Sequence, residues 1–173
     1  MVNTGLDRVP PRSQDFGTIE RERLLMIIRT VLVVASAIAA GITAAAAQEA
    51  VKARKDVMGA MAKPYYGVLA RMNRGQAPFD AAAANAALST IAAESQKVNP
   101  VFAANVTPEK KSDYDASPKI WQNKADFDAK LAAFVKAADE NKGGAKDLDS
   151  MKVAFQNVTK ACDACHETYR VKN

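Results

Sequence analysis

The sequence predicts an all-α fold arranged as a bundle of four helices, and three observations carry that expectation. The chain is rich in alanine and poor in glycine, with only 6% aromatic residues, a composition that favours helix over sheet. Turn signals at Asn73-Arg74-Gly75 with Pro78, at Asn99-Pro100 and at Asn141-Lys142-Gly143-Gly144 cut residues 48–173 into four stretches long enough to be helices. Within those stretches apolar residues recur at spacings of three and four, the seam through which bundle helices pack.

Residues 1–47 stand outside this plan. Met1 to Glu22 is polar and aperiodic, Arg21, Arg23 and Arg29 precede the apolar run Thr30 to Ile42, and the small residues Ala44 to Ala47 follow. Basic, apolar, then A-x-A is the order of a secretory signal peptide, with cleavage expected after Ala47 and Met26 as a possible true start. The alternative is a retained membrane anchor, but the apolar run is short against the roughly 20 residues needed to span a bilayer, so cleavage is expected, with no stable membrane insertion after it. Taking the five basic and four acidic residues of 1–47 from the chain's 24 and 19 leaves a formal charge of +4. Such a modest, scattered charge points to no nucleic acid as a partner.

Helix one is expected from about Glu49 to Met72, with Val51, Met58, Tyr65 and Met72 seven apart and Met61 and Val68 on the alternate rung. Arg54 breaks that apolar rung, so its guanidinium either snorkels to solvent or finds an anionic partner. Helix two, from Phe79 or Asp80 to Val98, is dominated by alanine, whose small side chains allow another helix or a second subunit to approach closely. The long connection Asn99 to Ala116 carries Pro100, Pro108 and the run Glu109-Lys110-Lys111-Ser112-Asp113, and is expected to cross one end of the bundle. Ser117-Pro118 then reads as N-cap and first helical residue of helix three, with Ile120, Phe127, Leu131, Phe134 and Ala138 as its inner stripe. Trp121, one residue off that stripe, is expected to cover core or loop. Helix four, about Asp147 to Arg170, has the clearest seam: Leu148, Met151, Phe155, Val158, Cys162, Cys165 and Tyr169.

The only two cysteines and the only histidine of the chain fall within Cys162-Asp163-Ala164-Cys165-His166. C-x-x-C-H is the attachment signature of c-type haem, in which both thiols add to the porphyrin vinyl groups and the imidazole becomes the proximal iron ligand. On a helix the three side chains leave from neighbouring rows of one face, where a flat macrocycle can meet all of them. A thioredoxin-like pair would want a βαβ context, and a structural zinc site would want four ligands where this chain offers three. Two buried cysteines without any cofactor is the remaining plain alternative. Because both cysteines lie on the core-facing seam, the macrocycle would be buried between helices near the C-terminal helix.

These residues together resemble the cytochromes c′ and their low-spin relatives of the cytochrome c-556 type. The resemblance covers nearly all of 48–173 and rests on Arg54-Lys55-Asp56-Val57-Met58, Phe79-Asp80, Ser117-Pro118-Lys119-Ile120-Trp121, and Lys160 to Arg170 around the C-x-x-C-H. It implies an antiparallel up-down-up-down four-helix bundle, a possible homodimer through helices one and two, and one covalent haem c held by Cys162 and Cys165 with His166 on the iron. Met58 matches the position facing the other side of the iron, which in the family holds either a methionine ligand or a bulky residue over a vacant site. With one histidine in the chain the sixth ligand is Met58 or nothing strong, and an ordinary core methionine is the plain reading of the same residue. By the same likeness Arg170, one turn past His166, borders the proximal face, unless it only complements the negative helix end. Arg54, one turn before Met58, would reach a haem propionate.

The function expected is that of a carrier of single electrons, exported to the periplasm, where covalent haem attachment takes place in bacteria and redox proteins would be its partners. Binding of nitric oxide or carbon monoxide at a vacant iron site is the competing reading. No second histidine and no locatable carboxylate pair support a catalytic role.

Overall fold

The computed structural model describes residues 16–106 and 115–171, with the side chains of 16–20 and 30–44 outside that description. Helix α1 spans Phe16–Pro64, a π-helical turn follows at Tyr65–Leu69, and α2 at Ala70–Asn73. Then come α3 (Ala81–Ser95), the single turns α4 (Val98–Val101) and α5 (Lys119–Gln122), α6 (Lys124–Asn141) and α7 (Leu148–Tyr169). The chain forms two compact units, 1–44 and 45–173. In the first, Leu24, Leu25, Met26, Ile27 and Ile28 are helical and exposed. The start of the expected export segment (1–15) and the side chains of Thr30 to Ile42 lie outside the described residues. Among the described residues no helix is long and apolar enough to cross a membrane.

The second unit is the expected antiparallel up-down-up-down bundle, made of α1 with α2, α3, α5 with α6, and α7. Its helices start where the sequence supplies caps. The Asp80 carboxylate accepts the Ala83 N–H at 3.0 Å, and Asp147 with Ser150 forms a reciprocal capping box. Gly75 and Gly143 turn the chain at φ of 69° and 74°, a conformation in which an L side chain is strained. Asn85 of α3 both donates to and accepts from the backbone of Ala145, at 2.9 and 3.0 Å, which ties the α6–α7 turn to the bundle. Leu69, Leu88, Ile91, Ile120, Met151 and Val158 are sealed at its centre. On α3, Ala84, Ala87 and Ala92 are buried within the chain while Ala82, Ala86 and Ala93 face outward.

Three expectations need correction. The Ser117 hydroxyl accepts the Lys119 N–H at 3.3 Å, but the N-cap is Pro118, one residue later than expected, and the helix breaks at Asn123 (φ −132°, ψ 60°) into α5 and α6. Leu148, placed on the seam of α7, is 36% exposed at the first turn. The seam of helix one is shifted because Pro64 has no N–H and its ring crowds the carbonyl four residues back. The next turn opens so that the Ala70 N–H reaches Tyr65 O, five residues away, inserting one residue into the helical register. Leu69 therefore faces the core at 0% exposure, and Val68 is only partly buried. The connection through Pro108 and Glu109 to Asp113 lies outside the described residues.

The register shift makes a direct prediction. Leu69→Ala should destabilise the protein by about 2–5 kcal/mol, as buried leucine truncations do, and Val68→Ala by clearly less. Urea unfolding of both variants checks it; a greater loss at residue 68 would restore an unbroken α-helical stripe.

Candidate haem site

Helix α7 brings Cys162, Cys165 and His166 onto one and a third turns, with Met151, Ala154 and Val158 of the same stripe buried below them and Tyr169 buried above. Both cysteines are free thiols, and all three side chains are half-buried. Burial pushes the Cys162 thiol up to about 12, with Asp163 and Cys165 adding to it, and burial raises the Cys165 thiol as well. A reactive dithiol needs a lowered pKa, so a thioredoxin-like role has no support here. Burial, then the charge of Arg170, lowers the pKa of His166 against a smaller opposing effect of Asp163, which favours the neutral imidazole, the form with a lone pair to donate.

Among the described residues no three His, Cys, Asp or Glu side chains converge to hold a bare metal ion. Cys162, Cys165 and His166 leave α7 from neighbouring rows of one face, an arrangement that a flat cofactor with two attachment points could meet. Met58, Tyr65, Val68, Phe155, Ala161 and Cys162 are only partly buried against the core, so carbon surface is available beside α7 for an apolar macrocycle to cover. Residues and group fit.

On the α1 side, Tyr65 lies at the π turn and stacks on Phe155 of α7, ring centroids 4.9 Å apart and 28° between planes. Its hydroxyl pairs with Thr159 Oγ1 at 2.8 Å, and since Thr159 itself donates to the Phe155 carbonyl at 2.7 Å, Tyr65 is the donor. Met58 is half-buried two turns earlier.

Arg54 does not snorkel: it is 5% exposed. Its Nε, Nη1 and Nη2 donate to the carbonyls of Val101, Val106 and Ala104 at 2.9, 2.6 and 2.5 Å. The guanidinium carbon lies 5.3 Å from the Phe102 ring centre and 4.9 Å from that of Trp121. Trp121 in turn donates its indole N–H to the Phe102 carbonyl at 3.1 Å, the loop-covering role expected of it. The partners the structure gives Arg54 are thus backbone carbonyls of the segment after α4, where the sequence offered a propionate.

The end of α7 is fastened in several directions. The Tyr169 hydroxyl, buried with its ring, donates to Asp126 Oδ2 at 2.5 Å and lies 3.3 Å from the Asn123 carbonyl. Its ring meets Phe127 edge to face, 5.3 Å between centroids. Ser117 N–H donates to the Tyr169 carbonyl at 2.9 Å and Val171 N–H to that of Asp115 at 2.8 Å, a β-bridge of Ala116 with Arg170. Lys55 of α1 reaches the buried Asp115 carboxylate at 3.5 Å. Arg170 caps α7, its N–H on the His166 carbonyl at 3.2 Å. Sequence reasoning had Tyr169 as a core residue only; its partner Asp126 sits on another helix, and no spacing signals that pair.

The bundle agrees with what known proteins show. Residues 49–170 match the family model described as Cytochrome C′. The chain is 34% identical over 152 residues to cytochrome c-555 of Bradyrhizobium diazoefficiens, covering 87% of this chain and 98% of that protein. Its structure resembles cytochrome c prime from Shewanella frigidimarina at a TM-score of 0.64 and 34% identity, over 73% of this chain and 97% of the other. It also resembles a nitric oxide complex of a cytochrome c prime mutant from Alcaligenes xylosoxidans, at a TM-score of 0.63 and 32% identity, over 73% and 97%. The chain belongs to the cytochrome c′ family. Members of this family carry covalent haem c, and Cys162 and Cys165 supply the two thiols that such attachment uses.

Replacing Arg54 tests its hold on the 101–106 segment. Arg54→Leu should lower stability by about 2–4 kcal/mol, since hydrogen bonds to a charged group contribute about 1.5–3 kcal/mol each and do not add fully. Arg54→Lys keeps the charge but loses the planar fork and should recover only part of that. Amide exchange that does not change in residues 101–106 of either variant would show that the guanidinium does not order them.

Proposed function

We propose that the mature protein, exported and freed of residues 1–47, is a periplasmic carrier of single electrons with one haem c. The observation that carries this reading is the half-buried Cys162, Cys165 and His166 set on the core-facing stripe of α7, in a chain with no other cysteine or histidine. The bound haem supplies a one-electron iron couple. The chain's residues do the rest. Cys162 and Cys165 would hold the macrocycle on α7 by thioethers, His166 would offer its imidazole to the iron, and the flanking apolar side chains would keep water from much of the ring. Met58, a soft thioether on α1, would be the second protein ligand to the iron, one that favours the reduced state and suits electron transfer.

Arg170 borders the proximal side, and its charge bears on His166. Arg54 acts on the haem pocket through the segment it holds, a role that leaves a propionate contact for its remaining N–H groups. Redox proteins of the same compartment are the partners, and the outward alanines of α3 offer a close-packing face for a homodimer through helices one and two.

A second reading has its own support. The Alcaligenes relative is a nitric oxide complex, and a half-buried Met58 that does not ligate would leave an apolar pocket for such a gas. The two readings separate in one spectrum: ferric and ferrous absorption of the purified protein is low-spin if Met58 ligates and high-spin if it does not.

Two outcomes follow. Met58→Ala should turn a low-spin spectrum high-spin and speed carbon monoxide binding many-fold; a spectrum identical to wild type would remove Met58 from the iron. Cys162→Ser and Cys165→Ser should each weaken covalent haem retention, read as haem stain after denaturing electrophoresis. Full retention in both would overturn the attachment.

A further inference from the structure

The last turn of a helix leaves carbonyls without partners inside the helix, and it is the turn most prone to open. In α7 that turn begins at His166, directly after Cys165, and it is held by contacts from outside the helix. Three kinds of contact meet on Tyr169: its carbonyl is bonded by Ser117, its ring is packed on Phe127, and its hydroxyl is bonded to Asp126. The first two would hold any aromatic residue at this place. The hydroxyl bond is specific to tyrosine, short, and made to a carboxylate, so it is of the stronger charge-assisted kind. It also points across the bundle: Asp126 opens α6, and the charges of Asp126 and of Lys130 are both felt at Cys165. The bond therefore spans from α6 to α7, one turn past the imidazole.

We propose that Tyr169 is a positioning residue for the haem iron ligand: its hydroxyl, held by Asp126, fixes the last turn of α7 and with it the orientation of the His166 ring. The proposal rests on the haem reading given above. An iron-bound histidine is oriented by what surrounds it as much as by its own rotamer, and loosening that support changes the iron without removing the ligand. Without the hydroxyl bond, Tyr169 still fills its pocket, but the turn gains freedom to rotate about α7. The imidazole then samples a range of angles over the macrocycle. Arg170, whose N–H closes the same turn on the His166 carbonyl, moves with it.

The test uses the haem-loaded protein and four variants. Tyr169→Phe keeps the ring and removes the hydroxyl, Asp126→Leu removes the acceptor, Asp126→Asn keeps a carbonyl acceptor, and the fourth is the double change Tyr169→Phe with Asp126→Leu. Expected for Tyr169→Phe are wild-type covalent haem content and far-ultraviolet circular dichroism, but broadened and shifted ferric electron paramagnetic resonance lines and a displaced reduction potential. Amide exchange at Ser117 and Arg170 should quicken on the order of tenfold, the loss of one such bond. Asp126→Leu should match it, the double variant should add nothing further, and Asp126→Asn should return close to wild type. Resonance lines and potential unchanged in Tyr169→Phe would overturn the proposal, as would loss of haem from that variant alone or fully additive effects in the double variant. A wild-type protein purified without covalent haem would instead sink the haem reading itself.

Discussion

One helical face has to serve two purposes at once, and the rest of the molecule follows from that. Side chains three and four residues apart share a face of a helix, so the residues of α7 that seal the core and those that receive a cofactor must come from the same rows. Met151, Ala154 and Val158 take the core end. Further along, Cys162 and Cys165 continue the stripe as small thiols, and burial pushes Cys162 up to about 12. His166 stands one position off the stripe, at its edge, where an imidazole can meet iron without displacing packing. Asp163 and Glu167 are left to solvent.

A bundle whose helices are interrupted has to fasten its connections by other means, and here buried polar groups do so. Arg54, Ser95 and Asp115 are the described polar or charged residues that are buried, and no buried side-chain polar atom among the described residues lacks a hydrogen-bond partner. Burial lowers the pKa of Arg54, yet three carbonyls and two aromatic rings keep the guanidinium paired. An uncompensated charge in that place would be costly, whereas one matched by carbonyl dipoles gives the 101–106 segment a single geometry. Asp115 does the same beside the end of α7, drawing α1 in through Lys55.

Most of the fold was legible in the sequence because its signals are local. Turn residues, caps at Asp80 and Asp147, and the periodicity of α7 are each written within a few residues, and the attachment set is written within five. Features that join distant parts of the chain were not legible. Arg54 stood out as an anomaly in an apolar rung, but a sequence does not say that its partners lie 47 to 52 residues away in a loop. Tyr169 fits a core stripe equally well with or without Asp126. The break at Asn123 follows no proline or glycine, and the displaced seam of helix one depends on how a helix absorbs Pro64, which periodicity alone does not foretell.

That displaced seam bears on the iron. In an unbroken α-helix at about 100° per residue, Leu69 would stand within about 20° of Met58, since eleven residues make close to three whole turns. It would then lie about 80–120° from Met61 and Val57, which are buried before the proline. The extra residue of the π turn rotates everything after it back by roughly one position, which returns Leu69 to the face of Met61 and Val57. With those three side chains packing against the core, Met58 is left on the flank of α1, about 60–100° off the packing direction and half-buried. A methionine locked in the core could not turn towards a cofactor without opening a cavity. Pro64 thus separates the face of α1 that holds the bundle together from the flank that the haem reading assigns to the iron.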